Sequence, residues 1–224
     1  MAIIKASALI VKFQYAYDNK WGYIYGAWCE TWTQAKQNSL VNAFVKKYGA
    51  NWKNDSAAKK ADKYYGALYG AKWIGHTVTD CSGLFYWAFK ELGGYIYHGS
   101  NTMWNKYCSS KGDLLKSTEL KPGYAVFTGN ASNKGHVGLY IGNDKVIEAS
   151  GTNAGVIITT ISGGKWKYWA ALKNVEYDGA AVPVDDTPTT DVESAVVNDV
   201  RVALRSGPST NDSVLVRVNK GERV

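Results

Sequence analysis

In the stretch TDCSGL, residues 79–84, an aspartate, a cysteine, a serine and a glycine stand directly in front of an apolar run with helical spacing. A helix start carries unpaired backbone N–H groups and a partial positive charge. Asp80 is suited to cap that start. Cys81 then falls in the first turn, where the dipole favours thiolate over thiol. Ser82 and Gly83 are small and leave the sulfur open to approach, and the Cys81 N–H is placed to meet a developing oxyanion. Taken alone, the cysteine also reads as a small buried space-filler. A nucleophile of this kind needs an imidazole as base, oriented in turn by a third polar group. The segment GHVGLYIGNDKVIEASG, residues 135–151, supplies both, with His136 at the start of one strand and Glu148 on the next.

Strand parity decides whether these two side chains can meet. A regular hairpin with a two-residue turn at Asn143-Asp144 sets His136 opposite Gly151 and turns Glu148 to the other face of the sheet. A three-residue loop, Gly142 to Asp144, sets Glu148 opposite Gly138. Glu148 then shares the face of His136, diagonal to it, with no side chain on Gly138 between them. An odd loop or a bulge is therefore expected here.

The elements that must position this set read as helices first and strands afterwards. ASALIVKFQYAYDNK (6–20) places Leu9, Ile10, Phe13 and Tyr17 on one helical stripe. TWTQAKQNSLVNAFVKKYG (31–49) has Thr33 as N-cap, Leu40, Val41, Phe44, Val45 and Tyr48 as its apolar face and Gly49 as its stop. DSAAKKADKYYGALYG (55–70) reads as a third helix capped at Asp55 or Ser56. The fourth begins at Cys81, with Leu84, Phe85, Ala88, Phe89 and Leu92 inward and Gly93-Gly94 at its end. After about residue 120 the period falls to two. GYAVFTG, HVGLYIG, KVIEAS, GVIITT and YWAAL are short strands between Gly and Asn turns. This order predicts an α+β domain with an antiparallel sheet. Residues 179–195, rich in Pro, Thr and acids, read as a linker. Residues 196–224 alternate like strands but are too few to bury a core alone.

The chain has 224 residues and a net charge of +7, with 16 Tyr and 9 Trp. Residues 1–178 hold 21 Lys against 12 acids, while residues 179–199 hold five acids and no base. A basic surface suits an anionic polymer. Arginine is absent before Arg201, which argues against a nucleic-acid partner. No apolar run approaches the roughly 18 residues of a membrane helix. Lys5 and Lys12 interrupt what would otherwise be a secretion signal. Cys29, Cys81 and Cys108 are neither paired nor spaced as a disulfide framework or a zinc site, and no metal or cofactor is expected.

DCSGL, then GHVGLYIGN, then a polar residue twelve after the histidine together resemble the NlpC-type peptidoglycan peptidases, which are papain-like cysteine enzymes. The resemblance covers roughly residues 6–178 and implies an NlpC-type domain over residues 1–178. It implies Cys81 as nucleophile, His136 as general base and acid, and Glu148 in the third position, where the family more often has His, Asn or Gln. A tyrosine facing the oxyanion is also implied. WGYIYGAW (21–28) offers Tyr23, with an insertion at about 27–75, while LYGAKW (68–73) offers Tyr69 at the shorter spacing. Asp80 and Ser82 are implied as substrate contacts. The implied reaction cleaves a stem-peptide amide of bacterial peptidoglycan, between D-glutamate and the diamino acid. The alternatives are an N-acetylmuramoyl-L-alanine amidase and a catalytically dead wall-binding protein. The tail, residues 200–224, resembles the start of a bacterial Src-homology-3-like wall-binding barrel. With a methionine start and no secretion signal, the whole suggests an endolysin released to the wall by phage lysis.

Overall fold

The computed structural model describes residues 2–115 and 118–179, together with the strand backbone of 202–205 and 214–218. It divides into two compact units, Met1–Pro183 and Val184–Val224. The first unit opens with β1 (Ile4–Lys5) and α1 (Ala6–Asp18), followed by β2 (Gly22–Tyr23) and β3 (Trp28–Thr31). Next come α2 (Gln34–Tyr48), α3 (Ser56–Lys60), α4 (Lys63–Tyr69) and β4 (Thr77–Thr79). Then α5 (Cys81–Glu91) and α6 (Ser100–Lys106) precede the strands β5 (Cys108–Asp113), β6 (Ala125–Thr128), β7 (His136–Gly142), β8 (Lys145–Gly151), β9 (Gly155–Thr160), β10 (Tyr168–Leu172) and β11 (Val175–Glu176). β5 to β10 form a six-stranded sheet in the order β5-β10-β6-β7-β8-β9, and every neighbouring pair is antiparallel. The α+β class expected from the change of period is the one observed.

α1 and α5 pack on each other and both lie against β7 and β8. Leu9, Ile10 and Phe13 from α1 and Leu84, Phe85 and Ala88 from α5 are fully buried, and Phe13 meets Phe85 edge-on at 4.7 Å. Each of the Leu, Ile and Phe side chains contributes about 1.5–3 kcal/mol by leaving water. This seam fixes the first turn of α5 against the start of β7. On α1 the buried stripe runs through Ala16 rather than Tyr17, which is only half-buried.

Thr33 caps α2 by accepting from the Lys36 N–H, and Gly49 ends it at a φ of 86°. Val45, expected inward, lies on the exposed side. The third helix expected over 55–70 is broken. Asp55 caps α3 through the Ala57 and Ala58 N–H groups, but the backbone turns extended at Ala61 and restarts as α4. Phe44, Trp52, Ala58 and Ala67 give these inserted helices a small core of their own. The ends of this helical segment meet, because the Trp32 N–H donates to the His76 carbonyl and the Gly75 N–H donates to the Trp32 carbonyl. Within the stretch expected as an insertion, about 27–75, Trp28–Thr31 form a strand beside β4. α6 and the edge strand β5 were not legible in the sequence.

The linker expected at 179–195 lies outside the described residues apart from Gly179. In the second unit β12 (Val202–Arg205) pairs antiparallel with β13 (Val214–Val218). The rest of the segment expected to begin a wall-binding barrel lies outside the described residues.

Candidate active site

The parity argument resolves through a bulge. Leu139 pairs with Ile147 and Tyr140 with Val146, but Gly142 pairs with Lys145, so Ile141 is the extra residue on β7. The turn itself has two residues, Asn143 and Asp144, both at positive φ (48° and 65°), as a primed hairpin turn requires. The bulge supplies the odd residue and brings Glu148 to the face of His136. The His136 Nε2 lies 2.5 Å from Glu148 Oε2. With Nε2 turned to Glu148, Nδ1 is the imidazole nitrogen left to serve a thiol.

Glu148 is completely buried. Thr159 Oγ1 donates to its Oε1 at 2.6 Å, and the Lys165 ammonium pairs with both of its oxygens. Burial pushes its pKa up, but the hydrogen bonds from His136, Lys165 and Thr159 outweigh that and hold it below the usual carboxylate range. Trp166 stacks on the His136 ring at 5.7 Å, with the planes 17° apart. Thr159, Lys165 and Trp166 were missed in the sequence. Two of them sit in or beside the Gly163-Gly164 turn, and nothing in their spacing points to the histidine.

Asp80 does cap α5. Its Oδ1 accepts from the N–H groups of Ser82 (3.1 Å) and Gly83 (2.7 Å) and from the Ser82 hydroxyl (3.1 Å). The same oxygen meets His98 Nε2 at 2.9 Å, while Oδ2 accepts from the Gly26 N–H at 2.8 Å. His98 is a further residue that the sequence did not reveal. The Asp80 hydrogen bond raises its pKa, against burial that lowers it. Gly83 is small for a reason other than access to the sulfur, since a Cβ there would lie 2.2 Å from the Ala27 carbonyl oxygen.

The Cys81 sulfur accepts from the backbone N–H of Val137, the residue directly after His136. α5 and β7 thus set Cys81 against the backbone of the residue that follows His136. Cys81 is only 8% exposed, and burial pushes its thiol up to about 12, with Asp80 adding to the rise. N–H groups of Val137 and Ser82 and the Ser82 hydroxyl pull the other way without reversing it. Burial and the Asp80 carboxylate thus oppose the lowering expected from the helix start.

Of the two tyrosines, Tyr23 lies beside Cys81. β2 runs parallel to β4 with Tyr23 paired to Thr79, and Gly26, at a φ of 85°, turns the chain back so that the Asp80 N–H reaches the Ala27 carbonyl. Burial, then the neighbouring Cys81 and Asp80, raise the Tyr23 phenol well above its ordinary value, so it remains an O–H donor. Tyr69 is 43% exposed and stacks on Tyr65 instead. A cavity of about 490 Å³ is lined by Tyr23, Tyr25, Asp62, Asp80, Cys81 and Ser82, among others. A second cavity, of about 370 Å³, adjoins it across Tyr23, Tyr25, Asp62 and Gly135. Tyr25 is hydrogen-bonded to Asp62, and burial and the nearby carboxylates raise its phenol.

Residues 64–174 match the NlpC/P60 family. The chain is 34% identical over 102 residues to the murein DD-endopeptidase MepH of Escherichia coli, covering 43% of this chain and 36% of that protein. It is 32% identical over 117 residues to the probable endopeptidase p60 of Listeria welshimeri, covering 52% and 21%. It is 32% identical over 126 residues to the probable endopeptidase NlpC homolog of Haemophilus influenzae, covering 52% and 62%. The chain spans between about a fifth and a third of the first of these relatives. Among solved structures, the P60 domain of the Mycobacterium avium subspecies paratuberculosis antigen MAP1204 aligns with a TM-score of 0.43 at 19% identity, covering 77% of this chain and 98% of that one. The family is one of cysteine peptidases that includes peptidoglycan endopeptidases.

Proposed function

We propose that the protein is a peptidoglycan hydrolase that cuts a stem-peptide amide, between D-glutamate and the diamino acid, by acyl transfer through Cys81. One observation carries this reading: the Cys81 sulfur rests on the Val137 N–H, next to an imidazole whose far nitrogen is held by the buried Glu148. The thiol gives its proton to His136 as the sulfur attacks the carbonyl carbon, so the C–S bond forms and the carbonyl electrons move to oxygen. The Cys81 N–H and the Tyr23 O–H stabilise that oxyanion. His136 returns the proton to the leaving amine as the C–N bond breaks. Water, deprotonated by His136, then cleaves the thioester and restores the thiol. Positioned acid–base catalysis of this kind contributes about 10²- to 10⁴-fold.

The paired cavities form the substrate trough, and Asp62 gives it a negative side suited to an ammonium group of the stem. Asp80 and Ser82 line the trough while holding the helix start. A tail acting as a wall tether, and an endolysin-like bacteriolytic role at the bacterial cell wall, belong to the same proposal. A tether raises the local concentration of substrate. Mass spectrometry of digested peptidoglycan tests the bond. A new amine on the diamino acid is expected, and a free N-terminal alanine shows an amidase instead.

A further inference from the structure

The buried carboxylate beside His136 does not act on the imidazole alone. Glu148 has no exposed surface, one oxygen on His136 Nε2, and the Lys165 ammonium across both oxygens. Thr159 fills the remaining acceptor site from β9. The groups facing the imidazole are Glu148 from β8, the Trp166 ring from the loop before β10, and Cys81 from α5 through the Val137 N–H. Among these and the groups holding Glu148, the anion and the Lys165 cation sum to zero charge. An isolated buried carboxylate at 2.5 Å would favour the imidazolium and keep the base occupied by its own proton. A bare cation would weaken the base. The pair acts on the ring as a neutral dipole. It orients Nε2 strongly while adding no net charge.

We infer that Lys165 is a positioning residue that balances the charge of Glu148, so that the carboxylate holds the His136 ring in orientation without setting a net negative charge beside it. This rests on reading Cys81, His136 and Glu148 as the catalytic set. Lys165 acts through Glu148 and touches no reacting atom. Its Nζ also lies 4.7 Å from the centre of the Trp166 ring, so the same side chain braces the ring stacked on His136.

The test is the NMR titration of the His136 imidazole in a Cys81→Ala background, read for Lys165→Met, Glu148→Gln and the double variant. Lys165→Met leaves the anion unbalanced and raises the titration midpoint by about one pH unit. Glu148→Gln leaves the cation and lowers it. The double variant falls between the two, and Lys165→Arg keeps the original midpoint. If Lys165→Met fails to fold because its buried carboxylate is uncompensated, Glu148→Gln and the double variant still carry the comparison. Midpoints that coincide in Glu148→Gln and the double variant, or shifts of one sign throughout, overturn the inference. With Cys81 present, the acid limb of kcat/KM on purified peptidoglycan moves with the same signs. Opposed titration shifts without any wall hydrolysis would remove the hydrolase reading and leave the charge balance standing.

Discussion

Gly138 and Trp166 compete for one volume. A Cβ on Gly138 would lie 2.7 Å from Trp166 Cη2 and 2.6 Å from a Val146 methyl, closer than side chains pack. The missing side chain is what seats the indole, and the indole is what stacks on His136. The glycine that keeps the path from His136 to Glu148 clear therefore also admits the ring that flanks the imidazole.

Gly138→Ala is expected to displace the Trp166 ring and to lower stability by about 1–3 kcal/mol through overpacking. Hydrolysis of purified wall should fall further than the fraction folded does. Trp166→Phe is the contrasting case. The indole Nε1 is buried without a hydrogen-bond partner among the described residues. Phe keeps a stacked ring and strands no donor, so activity within a few-fold of the original is expected. A collapse in Trp166→Phe matching that of Gly138→Ala would show that the ring size, rather than its stacking, is what His136 needs.

Cys81→Ala should abolish wall lysis and leave the circular-dichroism spectrum and melting temperature close to the original. Tyr23→Phe should lower kcat by about 10²-fold, as loss of one oxyanion donor typically does, while Tyr69→Phe changes nothing. Lysis persisting in Cys81→Ala ends the mechanism, and equal effects at the two tyrosines would remove Tyr23 from the oxyanion site.

Stability should decline on both sides of neutrality, for opposite reasons. The Cys81 thiol is raised from 9.0 to about 12 by burial, so the folded state holds that proton more tightly than the unfolded chain. Its contribution is complete below pH 9 and is lost as pH rises from 9 toward 12. Cys29 and Cys108, each raised to about 11 by burial, act in the same direction. Glu148 is depressed below 4.5, so its contribution is complete above that pH and is lost as pH falls through its folded value. Thermal melts across pH should show both limbs. Cys81→Ala should flatten the alkaline limb and Glu148→Gln the acid one, and unchanged limbs would contradict these assignments.

Asp80→Ala should be costlier than an ordinary cap deletion of about 0.5–2 kcal/mol. It frees the Ser82, Gly83 and Gly26 N–H groups together and leaves His98 without its partner. Asp80→Asn should recover part of this loss. Urea unfolding of the two variants gives the comparison, and a loss of under 0.5 kcal/mol in Asp80→Ala, well below the typical cap value, would show that the turn at Gly26 holds without the carboxylate.

What the sequence disclosed follows from which forces act locally. The strands His136–Gly142, Gly155–Thr160 and Tyr168–Leu172 fell where the sequence placed them, and in the first of them Val137, Leu139 and Ile141 bury one face as the two-residue period requires. The α5 cap was legible because Asp80 acts within three residues of itself. β5 escaped, since CSSKGD is a mostly exposed edge strand with no alternation to read. Lys165 escaped because it reaches Glu148 across a glycine turn. The burial of Cys81 was not legible because position in a helix is local, whereas burial depends on segments distant in sequence such as β7.

The two hydrogen bonds joining Trp32 to Gly75 and His76 have an architectural consequence. The chain departs and returns at adjacent points, and the returning end is fastened again where the Trp73 indole N–H donates to the Thr152 carbonyl and the Lys72 ammonium to the Asn153 carbonyl. A change of length among α2, α3 and α4 that spares these bonds would leave β3 and β4 side by side.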